Sequence, residues 1–173
     1  MRGRNVKDIM LFHNELLNSA ARGDGPIWNE VWALNVPLKV RMFLWRACSN
    51  CLPTRDKLHQ RRVRVETQCE LCLQQAKTAH HILWECPFAQ NVWALFRGRT
   101  QKCSNRASDF FLLFQQMQRK LSQQELEKWA VTAWAIWNAR NKFYFQHFQT
   151  HPNVISEMAS GLLEEYQRLM DTQ

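Results

Sequence analysis

Four side chains within eighteen residues have the types and spacing of a metal site. Cys69-Glu70-Leu71-Cys72 is followed by His81 and Cys86, which reads C-x2-C-x8-H-x4-C. Two thiolates with two residues between them fit a turn whose backbone amides face the sulfurs. A later histidine and cysteine complete the tetrahedral nitrogen–sulfur shell that Zn2+ prefers, and a closed shell of four leaves no position for water or substrate. The chemistry indicated is a structural zinc; the competing reading is a set of reduced, buried thiols. His80 beside His81 leaves the nitrogen ligand open. His81 keeps the H-x4-C spacing of retroviral-type zinc knuckles, although the middle spacer is longer than a knuckle's, and His80 then falls on the surface or next to the site.

The remaining reactive residues form no comparable group. Cys48-Ser49-Asn50-Cys51 is also C-x2-C, but Leu52-Pro53 follows it and His59 has no further cysteine nearby. These two read as half-buried cysteines at a helix end, and Cys103 is unassigned. His13, His59, His147 and His151 have no nucleophile or carboxylate beside them, and Ser104, Ser108 and Ser122 lack a G-x-S-x-G setting. An enzyme is the weakest class.

The elements that must position the four ligands are nearly all helical. Residues 78–85 form a short helix, and Pro87 pushes Cys86 out of helical geometry so that its thiol can swing back toward the metal. Residues 62–68 are β-branched and polar and form a short extended arm into Cys69. Upstream, residues 6–20 show apolar spacings of three and four, closed by Gly23-Asp24-Gly25-Pro26. Residues 27–34 place Trp28 and Trp32 on one face. Pro37 starts a helix through Val40, Phe43, Leu44 and Ala47, and Thr54 caps another over residues 55–61. Downstream, Pro87 opens a helix with Phe88, Val92, Trp93 and Phe96, and residues 108–121 are amphipathic. Ser122 and Glu125 form a capping box for a long helix with Ala130, Trp134, Trp137 and Asn141 near one stripe. Pro152 starts a final helix through Met158, Leu162, Leu163, Tyr166 and Met170. The fold class expected is mainly α: a small helical domain stapled by one CCHC zinc site, with an extended C-terminal helical segment. Its parts are residues 1–26, a zinc-binding domain over 27–97, and helices over 98–173 packed on that domain.

Composition bounds the partners. The chain has 173 residues, 46% hydrophobic and 22% charged, and eight tryptophans and ten phenylalanines exclude a disordered chain. No apolar run approaches the ~20 residues of a membrane-spanning helix. No secretory signal is recognisable, so six cysteines point to a reducing compartment, cytosol or nucleus. Arg2, Arg4 and Lys7 beside Leu11 and Phe12 hint at a mitochondrial helix, which Asp8 and Glu15 oppose. The formal charge of +8 is concentrated in residues 1–121, whereas residues 122–173 are slightly acidic. Arg55, Lys57, Arg61, Arg62 and Arg64, with Lys77 near the metal ligands, are the candidate contacts to nucleic acid.

One further pattern joins these residues. Trp28, Trp32, Val36-Pro37, Lys39, Phe43-Leu44-Trp45-Arg46, Leu52-Pro53-Thr54, Leu58, Cys69-x2-Cys72, His81-x4-Cys86-Pro87-Phe88-Ala89 and Trp93 resemble the zinc-binding domain of plant non-LTR retrotransposon reverse transcriptases. Trp134-x2-Trp137-x2-Arg140-Asn141, with Phe143 and Phe145, is similar to that family's W-x-x-R-N helix. The resemblance implies a domain between polymerase and ribonuclease H, zinc on Cys69, Cys72, His81 and Cys86, and core positions for Pro37 and the tryptophans. No Y-x-D-D pair is present for two-metal polymerisation, nor the convergent acids of ribonuclease H. Taken as a complete product, the chain reads as a domesticated retroelement fragment; taken as a piece, it is the middle of a polyprotein. The function expected is a non-catalytic module that binds a protein partner or itself, as a regulator or a toxin-like or antidote-like adaptor, through Met158, Leu162 and Tyr166 of the last helix. The alternative is an accessory domain binding RNA or single-stranded DNA. No small-molecule substrate is expected.

Overall fold

The structure, a computed structural model, describes residues 25–63, 66–74, 76–96 and 107–172. The helix expected over residues 6–20, together with Arg64 and Cys103, lies outside them. Helices run over α1 Gly25–Ala33, α2 Leu38–Cys48, α3 Arg55–Gln60, α4 Pro87–Trp93, α5 Phe110–Lys120, α6 Gln123–Gln146 and α7 Pro152–Asp171, with a π-helical turn at His81–Glu85 before α4. Among the described residues, extended pairing is confined to one antiparallel bridge between Gln68 and Ala76. α1 lies in one compact unit, Met1–Ala33, and the other elements in a second that begins at Leu34. The mainly helical class is as expected. α1 begins at Gly25 rather than after Pro26, since a proline in the first turn gives up an N–H that has no helical partner there.

Local chemistry sets the boundaries in the second unit. Pro37 is buried before α2, and its carbonyl accepts the Val40 N–H at 2.8 Å. Asn50, in the left-handed region at φ 56°, ends that helix. Thr54 Oγ1 accepts from the Lys57 N–H at the start of α3. Asp109 Oδ1 accepts from the Leu112 N–H at 2.9 Å, so α5 starts at Phe110, slightly inside the expected span. Ser122 and Glu125 make the expected reciprocal capping box on α6.

α6 is the central element. Its buried arc runs through Leu126, Trp129, Ala130, Ala133, Ile136 and Arg140. Trp129 stacks on Trp93 of α4 at 5.8 Å and on Phe110 of α5 at 5.7 Å between ring centroids, joining three helices. The stripe expected from sequence is offset from this arc. Trp134 and Trp137 are half-buried, with Lys39 over the Trp134 ring at 4.5 Å and Phe43 against Trp137. Trp45, Trp84, Trp93 and Trp129 are buried, while Trp28 and Trp32 are half-buried. α7 packs along α6 with Ile155, Ala159 and Leu163. Buried Glu127 fastens the pair: its carboxylate accepts from the Asn35 N–H, Gln123 Nε2 and Gln167 Nε2, each at 2.9 Å.

Candidate metal centre

The loop from Gln68 to Ala76 carries the first two sulfurs. Its base is closed by the Gln68–Ala76 bridge and by the Lys77 N–H donating to the Thr67 carbonyl at 2.7 Å. Within it the Leu73 N–H donates to the Cys69 carbonyl at 2.8 Å, and Leu73 takes φ 56° to complete the turn. Cys69 is buried and Cys72 half-buried.

The other two candidate ligands bracket the π-helical turn, His81 at its start and Cys86 just past its end. Thr78 Oγ1 accepts from the His81 N–H at 3.1 Å, and the Cys86 N–H donates to the His81 carbonyl at 2.8 Å. The wide π ring thus holds the third and fourth ligands together. Cys86 has left helical geometry, at φ −58° and ψ 135°, as Pro87 requires.

The four donor atoms converge. Sγ of Cys69, Cys72 and Cys86 and a ring nitrogen of His81 all lie within 4.8 Å of one another. The Cys69 and Cys86 sulfurs are 3.9 Å apart, and Cys72 Sγ is 3.3 Å from His81 Nε2. Zinc–sulfur bonds of about 2.3 Å at tetrahedral angles put two sulfurs about 3.8 Å apart, so the observed cage fits the ion. His81, not His80, faces the sulfurs. Its Nε2 faces Cys72 Sγ, while Nδ1 lies 3.8 Å from Glu85 Oε2. His80 is buried rather than on the surface, with Nε2 3.5 Å from Glu85 Oε1, and burial lowers its pKa.

Cys69 and Cys86 are electrostatically unlike. A hydrogen bond from Cys86, aided by His81 and Arg140 and opposed by burial, holds the Cys69 thiol far below its ordinary range. The same bond, together with burial, pushes Cys86 up. The direction of both shifts favours the proton on Cys86, and ligation of a cation by that sulfur requires its loss.

Arg140 reaches the site from α6, a position that the ligand spacing does not predict. It is 1% exposed, and its guanidinium donates from Nη2 to Cys69 Sγ at 2.8 Å and from Nη1 to Cys86 Sγ at 3.4 Å. The signal in the sequence is the arginine of the W-x-x-R-N pattern, a cation four residues after Ile136 on an apolar helix face.

The basic candidates separate. Lys77 is 7% exposed, its ammonium held 2.6 Å from Glu70 Oε1 and 5.1 Å from the Tyr144 ring, so it is a strut of the loop and not a free phosphate contact. Arg55 also lies over the Tyr144 ring, at 5.0 Å, and Lys57 donates to Gln60 Oε1 at 3.0 Å. Arg61 and Arg62 are exposed. Cys48 is buried at the end of α2, where burial raises its pKa, and Cys51 is half-buried with Sγ donating to the Ser49 carbonyl. On α7, Met158 is exposed, while Leu162 and Tyr166 are half-buried. No helix among the described residues is long and apolar enough to cross a membrane.

Comparison with known proteins agrees with this geometry. Residues 12–93 match the family described as zinc-binding in reverse transcriptase. A protein of Arabidopsis thaliana named as a ribonuclease H protein is 27% identical over 66 residues, which is 38% of this chain and 11% of that protein. The matched part thus spans about a tenth of that relative's length. No solved structure matches the chain.

Proposed function

We propose, from the match of residues 12–93 to the reverse-transcriptase zinc-binding family, that the protein is a non-catalytic binding module whose last helix docks a protein partner. The zinc is a staple: four protein ligands close its shell, so it has no position at which to activate a substrate. Three thiolates also need a reducing compartment, cytosol or nucleus.

The observation that carries the reading is the second apolar face of α7. Ile155, Ala159 and Leu163 are used against α6, yet Val154, Met158, Leu169 and Met170 are exposed, Met158 to 64%. Half-buried Leu162 and Tyr166 flank that row. Residues 154, 158, 162 and 169 recur at near-helical spacing, so one side of the helix is a ridge suited to a groove between side chains of another helix. A ridge of this kind serves an adaptor or regulator, on another protein or on a second copy of the chain.

Met158→Glu combined with Leu169→Glu on the full chain tests this. Sedimentation and cross-linking of the zinc-loaded protein should show loss of the self-associated or partner-bound species, with zinc content unchanged. An unaltered mass and partner profile would remove α7 as the interface.

One specific arrangement favours a second reading, binding of RNA or single-stranded DNA. Around the C-terminal end of α6, Phe145 and Phe148 are exposed, Lys142 sits over the Phe148 ring at 4.2 Å, and Arg55 sits over Tyr144. Cations interleaved with exposed rings suit a stacked, charged strand.

A further inference from the structure

We propose that Arg140 is a working part of the zinc centre, an outer partner that cancels the charge of its thiolates and slows release of the metal. Zinc with three thiolates and a neutral imidazole carries one net negative charge, and here that charge is buried: Cys69 and Cys86 are fully enclosed and His81 nearly so. A buried charge is tolerated when it is paired and hydrogen-bonded. Arg140 supplies one positive charge and directs two nitrogens at two of the three sulfurs, at 2.8 Å and 3.4 Å, with Nη2 also 3.6 Å from Cys86. The dependence is mutual. Among the described residues no carboxylate pairs with this guanidinium, which also lies over the Phe88 ring at 5.7 Å. Its counter-charge is the metal centre itself.

Two consequences follow from the donor geometry. Hydrogen bonds to a thiolate withdraw electron density from sulfur, which lowers its nucleophilicity toward electrophiles and oxidants. They also fix the sulfurs in place before the ion arrives, as outer partners of metal ligands do. Arg140 stands on α6, beyond the residues 12–93 that match the family, so in this chain the metal centre extends into the C-terminal helices. This is independent of which partner, if any, α7 binds.

The test uses the full chain with Arg140→Met, which removes charge and donors, and Arg140→Lys, which keeps the charge and loses the planar fork. Ile136→Val, a packing change on the same helix face, is the control. Zinc release to a chelator and thiol alkylation should speed up roughly 10–100-fold in Arg140→Met. Arg140→Lys should fall between that variant and the parent, and Ile136→Val should match the parent. In cobalt-substituted protein the sulfur-to-metal charge-transfer bands should move to lower energy in Arg140→Met and stay in place in Ile136→Val. Release within about twofold of the parent in both Arg140 variants, with an unshifted cobalt spectrum, would overturn the proposal. If Arg140→Met does not fold, the parent protein decides by nitrogen-15 NMR. The Arg140 Nη protons should exchange slowly with water in the zinc-bound state, and fast exchange would overturn the assignment.

Discussion

The Cys69 and Cys86 sulfurs sit 3.9 Å apart, the spacing of neighbouring tetrahedral positions, yet they differ in how they hold a proton. The hydrogen bond between them favours the Cys69 thiolate and the Cys86 thiol. A raised Cys86 pKa favours its thiol over its thiolate, and zinc ligation has to displace that proton. Zinc affinity is therefore expected to rise with pH and to weaken as pH falls. Competition against a chelator of known affinity between pH 6 and pH 8 should give an increase of at least about tenfold per pH unit, the signature of one proton released. An affinity independent of pH would mean that zinc displaces no proton and that the Cys86 sulfur is already a thiolate in metal-free protein. At this scale the ligand types were legible because cysteines and a histidine this close together form a set of soft donors that few roles besides metal binding require. Arg140 was only partly legible: the W-x-x-R-N pattern marks the residue, but nothing in its spacing ties it to the sulfurs that it meets in the fold.

Helix starts were easy to read because they depend on nearby residues alone. Pro37, Thr54, Pro87, Ser122 with Glu125, and Pro152 each act on atoms within four residues, and each does so in the structure. The face that a helix buries depends instead on how many neighbours surround it. α6 meets α2, α5, α7 and the π-helical turn, so its buried arc is broad and centred on Trp129, not on Trp134 and Trp137. Alanine at the two positions should separate these cases. Trp129→Ala removes a fully buried ring stacked on Trp93 and Phe110 and should cost about 3–5 kcal/mol of stability. Trp134→Ala gives up partial burial and one cation–π contact with Lys39, and should cost no more than about 2 kcal/mol. Equal losses in denaturant titrations would return the core of α6 to the stripe read from sequence.

The molecule as a whole carries +8, reduced by one when zinc sits among three thiolates, so a positive field attracts any acidic partner. Net charge was readable from composition; which charges face outward was not, because burial separates side chains that sequence groups together. Lys77 is spent on Glu70, whereas Arg61 and Arg62 are open to solvent, and Lys142 and Arg55 flank aromatic rings. If these four cations contact phosphates of a single strand, log K should fall with log salt at a slope of about −0.7 per contact, near −3 in total. Arg61→Glu with Arg62→Glu should then flatten the slope by at least about 1.4 and weaken binding to RNA and single-stranded DNA alike. Lys77→Gln should leave the slope unchanged while lowering thermal stability, since it removes the counter-ion of Glu70. A salt-insensitive interaction, or none, in zinc-loaded protein would confine the positive face to solvation. The apolar ridge of α7 would then carry recognition, because burying it against a partner gains free energy that salt does not screen.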